Sequence, residues 1–115
     1  MLIILQSDPR LNHDYEQGIE LAISYGDLVE ANDITVLVAG AFLQELVHAH
    51  GDEVFVKKLK QLDLFEVEAV ALEHTPCAFV KRVDRSAVRA LVASKQRVLS
   101  FWSIWFSRHK ASKMP

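Results

Sequence analysis

MLIILQSDPRLNHDYEQGIELAISYGDLVEANDITVLVAG, residues 1–40, decides the fold class. An apolar run at residues 2–5 is followed by a helical stretch over about residues 13–31 and a second apolar run at residues 34–39. Two strands joined by a helix of that length are predicted to lie parallel, because an antiparallel pair needs only a short turn. In an open sheet of parallel strands, ligands collect outside the carboxyl ends. The residues expected there are Ser7 and Asp8 after the first strand, Gly40 after the second, and residues 73–77 after the third. The last group includes Cys77, the only cysteine of the 115 residues.

The first helix carries more apolar surface than one sheet face requires. At about 100° per residue, Tyr15, Ile19, Ala22, Gly26 and Val29 form one stripe, and Leu21, Tyr25 and Leu28 form a second beside it. A neighbouring helix or another subunit is expected to cover the surplus, since apolar patches of this kind mark interfaces.

Beyond the second strand, Gly40 permits a tight exit into a short helix over residues 41–48, which Gly51 ends. Asp52 reads as the N-cap of a further helix, with Phe55, Leu59 and Leu62 at helical spacing and Lys57, Lys58 and Lys60 on a solvated face. Residues 64–72 read as a third, buried strand and 73–76 as a loop. Residues 78–83 read as a fourth strand that turns basic at Lys81 and Arg82. Asp84 or Ser86 then caps a last helix that points Ala87, Val88, Leu91 and Val92 inward, and residues 97–101 form a fifth strand. The alternation predicts a three-layer α/β domain with a mostly parallel five-stranded sheet over residues 1–101. Residues 102–115 form a separate tail, with Trp102, Ile104, Trp105 and Phe106 followed by Arg108, His109, Lys110 and Lys113.

Composition excludes several classes. Thirteen Lys and Arg against 15 Asp and Glu give a formal net charge of −2, which supplies no broad attraction for nucleic acid or an anionic membrane. The first apolar run is too short for a signal peptide or a membrane span, so a cytoplasmic protein is expected. One cysteine forms no internal disulfide, and the Cys and His spacing fits no zinc pattern. Residues 7–14 contain no glycine, so the first strand-to-helix loop lacks the composition that cradles phosphate. The third strand ends without a phosphorylatable aspartate, and no Gly-x-Ser-x-Gly elbow occurs. No cofactor and no metal are expected.

Cys77 remains as the candidate for chemistry. Its pKa would fall if His74, Lys81 or Arg82 stood beside it, making a nucleophilic thiolate; alternatively it is a small buried apolar residue, as cysteine often is. His48 and His50 stand two apart, on different sides of a helix or on one side of an extended segment, and would need ligands from elsewhere to bind a metal. The tail reads as a cover folded back on the domain or as a docking segment, Trp102 and Trp105 being too large to stay exposed without a partner. Aromatic residues beside cations also suit single-stranded RNA, but one short tail is a weak signal.

The runs LAISYGDLVEANDITVLVAGAFLQELV (residues 21–47), KKLKQLDLFEVEAVAL (57–72) and FVKRVDRSAVRALVASKQRVLSF (79–101) resemble the DsrE/DsrF-like sulfur-relay superfamily, and within it the TusC or DsrF type of subunit. The resemblance rests on element order, on Gly40, Ala41 and Phe42 after the second strand, on the block from Leu62 to Glu66, and on the ending from Val98 to Phe101. It implies a flavodoxin-like domain that assembles with itself or with DsrE-type and DsrH-type subunits. Such complexes pass persulfide sulfur between donor and acceptor proteins, toward tRNA wobble-uridine thiolation or in sulfur oxidation. It implies neither a membrane nor direct nucleic-acid binding. Leu21, Tyr25, Leu28, Trp102 and Trp105 are the expected interface residues. The family's carrier cysteine directly follows the third strand, where this chain has Leu72 or Glu73; the TusC or DsrF type is the noncatalytic partner. The alternative is a carrier that uses Cys77 with His74, Lys81 or Arg82.

Overall fold

The computed structural model describes residues 1–28, 34–94 and 98–101. In chain order the elements are β1 (Leu2–Leu5), α1 (Asp14–Leu28), β2 (Thr35–Val38), α2 (Gly40–Val47), α3 (Val54–Leu64), β3 (Glu68–Ala71), β4 (Val80–Arg82), α4 (Arg85–Ser94) and β5 (Val98–Phe101). The strands are parallel in the order β4-β3-β2-β1-β5. From β1 to β4 the chain steps one way across the sheet, and through α4 it returns to the far side of β1. Crossovers of one hand that step in opposite directions place their helices on opposite faces. The packing follows that rule.

Side-chain alternation sorts the strands between two cores. Ile3, Leu5, Val36, Val38, Ala69 and Ala71 point toward α1, α2 and α3 and join Ile19, Phe42, Leu46, Leu59 and Leu62 in the main core. Leu2, Leu37 and Val70 point the other way, where Val88 and Leu91 of α4 meet them. With apolar residues on both faces, the strands read as continuous apolar runs, as buried parallel strands do. At the centre of the main core Phe42 is fully buried, edge-on to Tyr15 (centroids 5.4 Å) and Phe55 (5.8 Å).

Tyr15, Ile19 and Ala22 of the first α1 stripe are buried, and Gly26 lies close to Ile34 and Val67, as expected. Of the second stripe, Leu21 and Tyr25 are half-buried against the same core. The Leu28 side chain, Val29, Trp102 and Trp105 lie outside the described residues, as does the tail beyond residue 101.

Several boundaries differ from the sequence reading. Residues 64–67 are not strand: α3 runs to Leu64 and closes with Glu66 in a left-handed conformation (φ 60°). The Val67 N–H donates to the Leu62 carbonyl (2.8 Å) and the Glu66 N–H to that of Asp63 (3.1 Å), the paired bonds of a Schellman cap. The apolar run from Leu62 to Val67 thus belongs to a helix end, and β3 starts only at Glu68. Glu53, not Asp52, stands at the N-cap of α3, and its carboxylate accepts the His50 N–H (2.9 Å). At α4, Asp84 is the cap, its Oδ1 accepting the Ala87 N–H at 2.8 Å. Val92, expected inside, is 45% exposed. The short helix opens at Gly40 and ends at Val47, before Gly51 is reached.

Candidate functional site

The carboxyl edge is built by the loops after β1 and β2. Gly40 has φ +56°, and a Cβ there would stand 3.3 Å from the Gln6 carbonyl oxygen, so only glycine brings α2 so close to β1. The β1–α1 loop folds on Asp8: its Oδ1 accepts the Arg10 N–H (2.8 Å), and its carbonyl accepts the N–H groups of Leu11 (3.1 Å) and Asn12 (2.9 Å). These three amides are turned onto the loop itself and form no cradle for an anion, in line with the missing glycine.

Arg10 dominates this edge. Its Nε donates to Glu45 Oε1 (2.6 Å), a terminal nitrogen pairs with Glu53 Oε1 (2.5 Å), and the guanidinium lies 5.1 Å from the Phe55 ring centre. The two hydrogen bonds push the Arg10 pKa up, and the Arg10 bond is the first cause that holds the Glu53 carboxyl below its usual range. One side chain thereby ties β1 to α2 and α3. Arg10, Glu53 and Phe55 line a cavity of 430 Å³ with Pro9, His13 and Tyr15. Sequence reasoning missed this cluster, since Arg10 and Glu45 are 35 positions apart and no spacing rule joins them.

Cys77 does not lie at the carboxyl edge. Its carbonyl accepts the Val80 N–H (3.0 Å) in the turn that leads into β4, and β4 runs parallel to β3, so the cysteine sits on the amino-terminal side of its strand. A connection between adjacent parallel strands must return along the sheet before the next strand starts. Residues 72–79 do so without a helix, and Cys77 falls at the end of that return. Thr75 fixes its backbone: the threonine Oγ1 accepts the Cys77 N–H (3.2 Å) and donates to its carbonyl (3.3 Å).

The thiol is 7% exposed and belongs to the main core. Burial pushes its pKa up, which is the reverse of activation. His74, Lys81 and Arg82 are all exposed and contribute nothing to that shift. The structure does not gather these three around the sulfur. Instead Cys77 borders a cavity of 540 Å³ that is also lined by His50, Lys60 and Asp63, residues from the α2–α3 loop and from α3. Lys60 reads from the sequence as part of a solvated helix face; that it lines the same cavity as Cys77 follows only from the path of residues 72–79. Among the described residues, no group of three or more His, Cys, Asp or Glu side chains is placed to hold a metal, so His48 and His50 gain no further ligands. No helix among them is long and apolar enough to cross a membrane.

This arrangement defines an α/β domain with a parallel sheet, helices on both faces, and a buried thiol rather than an exposed one. The same fold occurs in the crystal structure of the ychN protein from E. coli, with a TM-score of 0.64 and 17% identity, over 87% of this chain and 97% of that one. A scan against models of known protein families finds no match. A search of curated proteins finds none either.

Proposed function

We propose that this chain is an accessory, noncatalytic subunit of a sulfur-relay complex, of the TusC or DsrF type, with a flavodoxin-like layering and a cytoplasmic location. The observation that carries this reading is the thiol itself: the lone cysteine is buried at the head of β4 with its ionisation opposed. By the resemblance, the place of the DsrE-type carrier cysteine falls on Leu72 or Glu73 of this chain. A sulfur carrier needs an accessible thiolate to accept a sulfur atom and release it. The resemblance of residues 21–47, 57–72 and 79–101 to DsrE/DsrF-like chains and the fold shared with the ychN protein support the same class. Its partners in this reading are DsrE-type and DsrH-type subunits, and through them persulfide donor and acceptor proteins.

A second reading, a persulfide carrier that uses Cys77, is favoured by the cavity that Cys77 lines together with His50 and Lys60. Intact-mass analysis after incubation with a persulfide donor separates the two, with Cys77→Ser beside the native chain and a competent carrier as control. The accessory reading expects no transferable gain of one sulfur, together with a stable complex when DsrE-type and DsrH-type subunits are added. A gain that is lost in Cys77→Ser and passed to an acceptor thiol would establish the carrier instead.

A further inference from the structure

The two faces of the sheet are covered unequally. On one face α1, α2 and α3 bury the strands, and α1 lies across β1 and β5. On the other face α4 stands alone among the described helices, ten residues long with none fully buried. Beneath and beside it Ile4 and Ala39 remain only partly buried, Val92 is 45% exposed, and Val98, the register partner of Leu2, is 39% exposed. Among the described residues, the incompletely covered strip on the α4 side thus includes Ile4 of β1, Val98 at the start of β5 and Val92 of α4.

We infer that residues 102–115 of this same chain cover that strip. The segment starts directly after Phe101, the last residue of β5, beside the carboxyl end of β1. Because α1 occupies the other face at β1 and β5, the open side there is the α4 side. Fourteen residues, about 21 Å if helical, exceed the roughly 13 Å of a four-residue strand, so the segment is long enough to run back over β5. Its composition fits a cover: Trp102, Trp105 and Phe106 recur at i, i+3 and i+4, the spacing that puts apolar residues on one side of a helix, and rings of this size bury about 150–250 Å² each.

The only two tryptophans of the protein are Trp102 and Trp105, so its tryptophan fluorescence reports on this segment alone. The full chain is expected to show blue-shifted emission, shielded from acrylamide and unchanged on dilution, while light scattering gives the monomer mass. Val92→Lys and Val98→Lys change exposed side chains and should leave far-UV circular dichroism and cooperative unfolding intact. Both should shift the emission to the red and remove the shielding, whereas Leu64→Lys, an exposed apolar position at the end of α3, should change neither. Solvent-exposed emission in the unaltered chain would overturn the inference. So would a blue shift that disappears on dilution, which assigns the strip to a second copy, or one that survives both lysine substitutions. None of these readings depends on a sulfur-relay partner.

Discussion

Arg10 and Glu53 meet at 2.5 Å across the carboxyl edge of the sheet, joining the loop after β1 to the residue that starts α3. Because Glu53 also receives the His50 N–H, the pair fixes the turn between α2 and α3 as well as the loop. Arg10 holds the Glu53 carboxyl below its usual range, chiefly through this hydrogen bond. A carboxylate whose folded pKa lies below its unfolded value contributes stability above the unfolded value, about 4.3 for Glu. That contribution is lost as pH falls through the folded value. Glu53→Gln is therefore expected to lower the urea midpoint at pH 7 and to flatten the loss of stability below about pH 4.3. Parallel pH profiles for the two proteins would sink this account.

Glu66 should be better replaced by glycine. A non-glycine residue in the left-handed region carries a cost of roughly 1–2 kcal/mol, partly offset by the extra freedom of glycine in the unfolded chain. Glu66→Gly is expected to raise stability by about 0.5–1 kcal/mol at an unchanged denaturant slope. A fall in the midpoint would show that the Glu66 side chain has a role the cap geometry does not reveal.

Gly40 is the opposite case. Its φ of +56° and the 3.3 Å approach to the Gln6 carbonyl leave no relaxed position for a Cβ. Gly40→Ala is expected to destabilise the domain by about 1–3 kcal/mol, read by thermal unfolding. An unchanged midpoint would mean that α2 can lift from β1 without loss.

Phe42→Ala removes the central ring of the Tyr15–Phe42–Phe55 stack. A loss of about 3–5 kcal/mol is expected, the range for a fully buried aromatic side chain. A loss below about 1 kcal/mol would place the main core elsewhere.

Cys77 should react slowly with iodoacetamide at neutral pH, being buried and more weakly acidic than a free thiol. Its folded pKa lies above the unfolded value of about 8.5. The associated stability is therefore complete below that pH and is lost as pH rises toward the folded value. Cys77→Ala removes the ionisable group, so its stability should fall less steeply in that alkaline window. Rapid alkylation of the native protein at pH 7 would contradict the burial of the thiol.

The sequence made the order of strands and helices legible because apolar runs of four residues and a helix of fifteen have different periods. The parallel direction came from the length of that helix. It did not disclose the end of α3, since Leu64, Phe65 and Val67 are apolar enough for a strand and only the left-handed Glu66 separates the two readings. That same ambiguity makes the third strand too long. The position of Cys77 escapes the sequence for a different reason. A loop that returns along a strand has no periodic signature, and nearness in sequence to β3 suggests a place at its carboxyl end that the structure denies. The Arg10 cluster joins residues from three elements, and long-range pairing of this kind leaves no local pattern.

The brevity of β4 limits how this domain can associate. It is a border strand of three residues, two of them the exposed cations Lys81 and Arg82. Charged, short borders discourage another chain from adding its own strand by backbone pairing. On that side, any association with another chain is therefore directed to helix and loop surfaces, not to lengthening one sheet into the next.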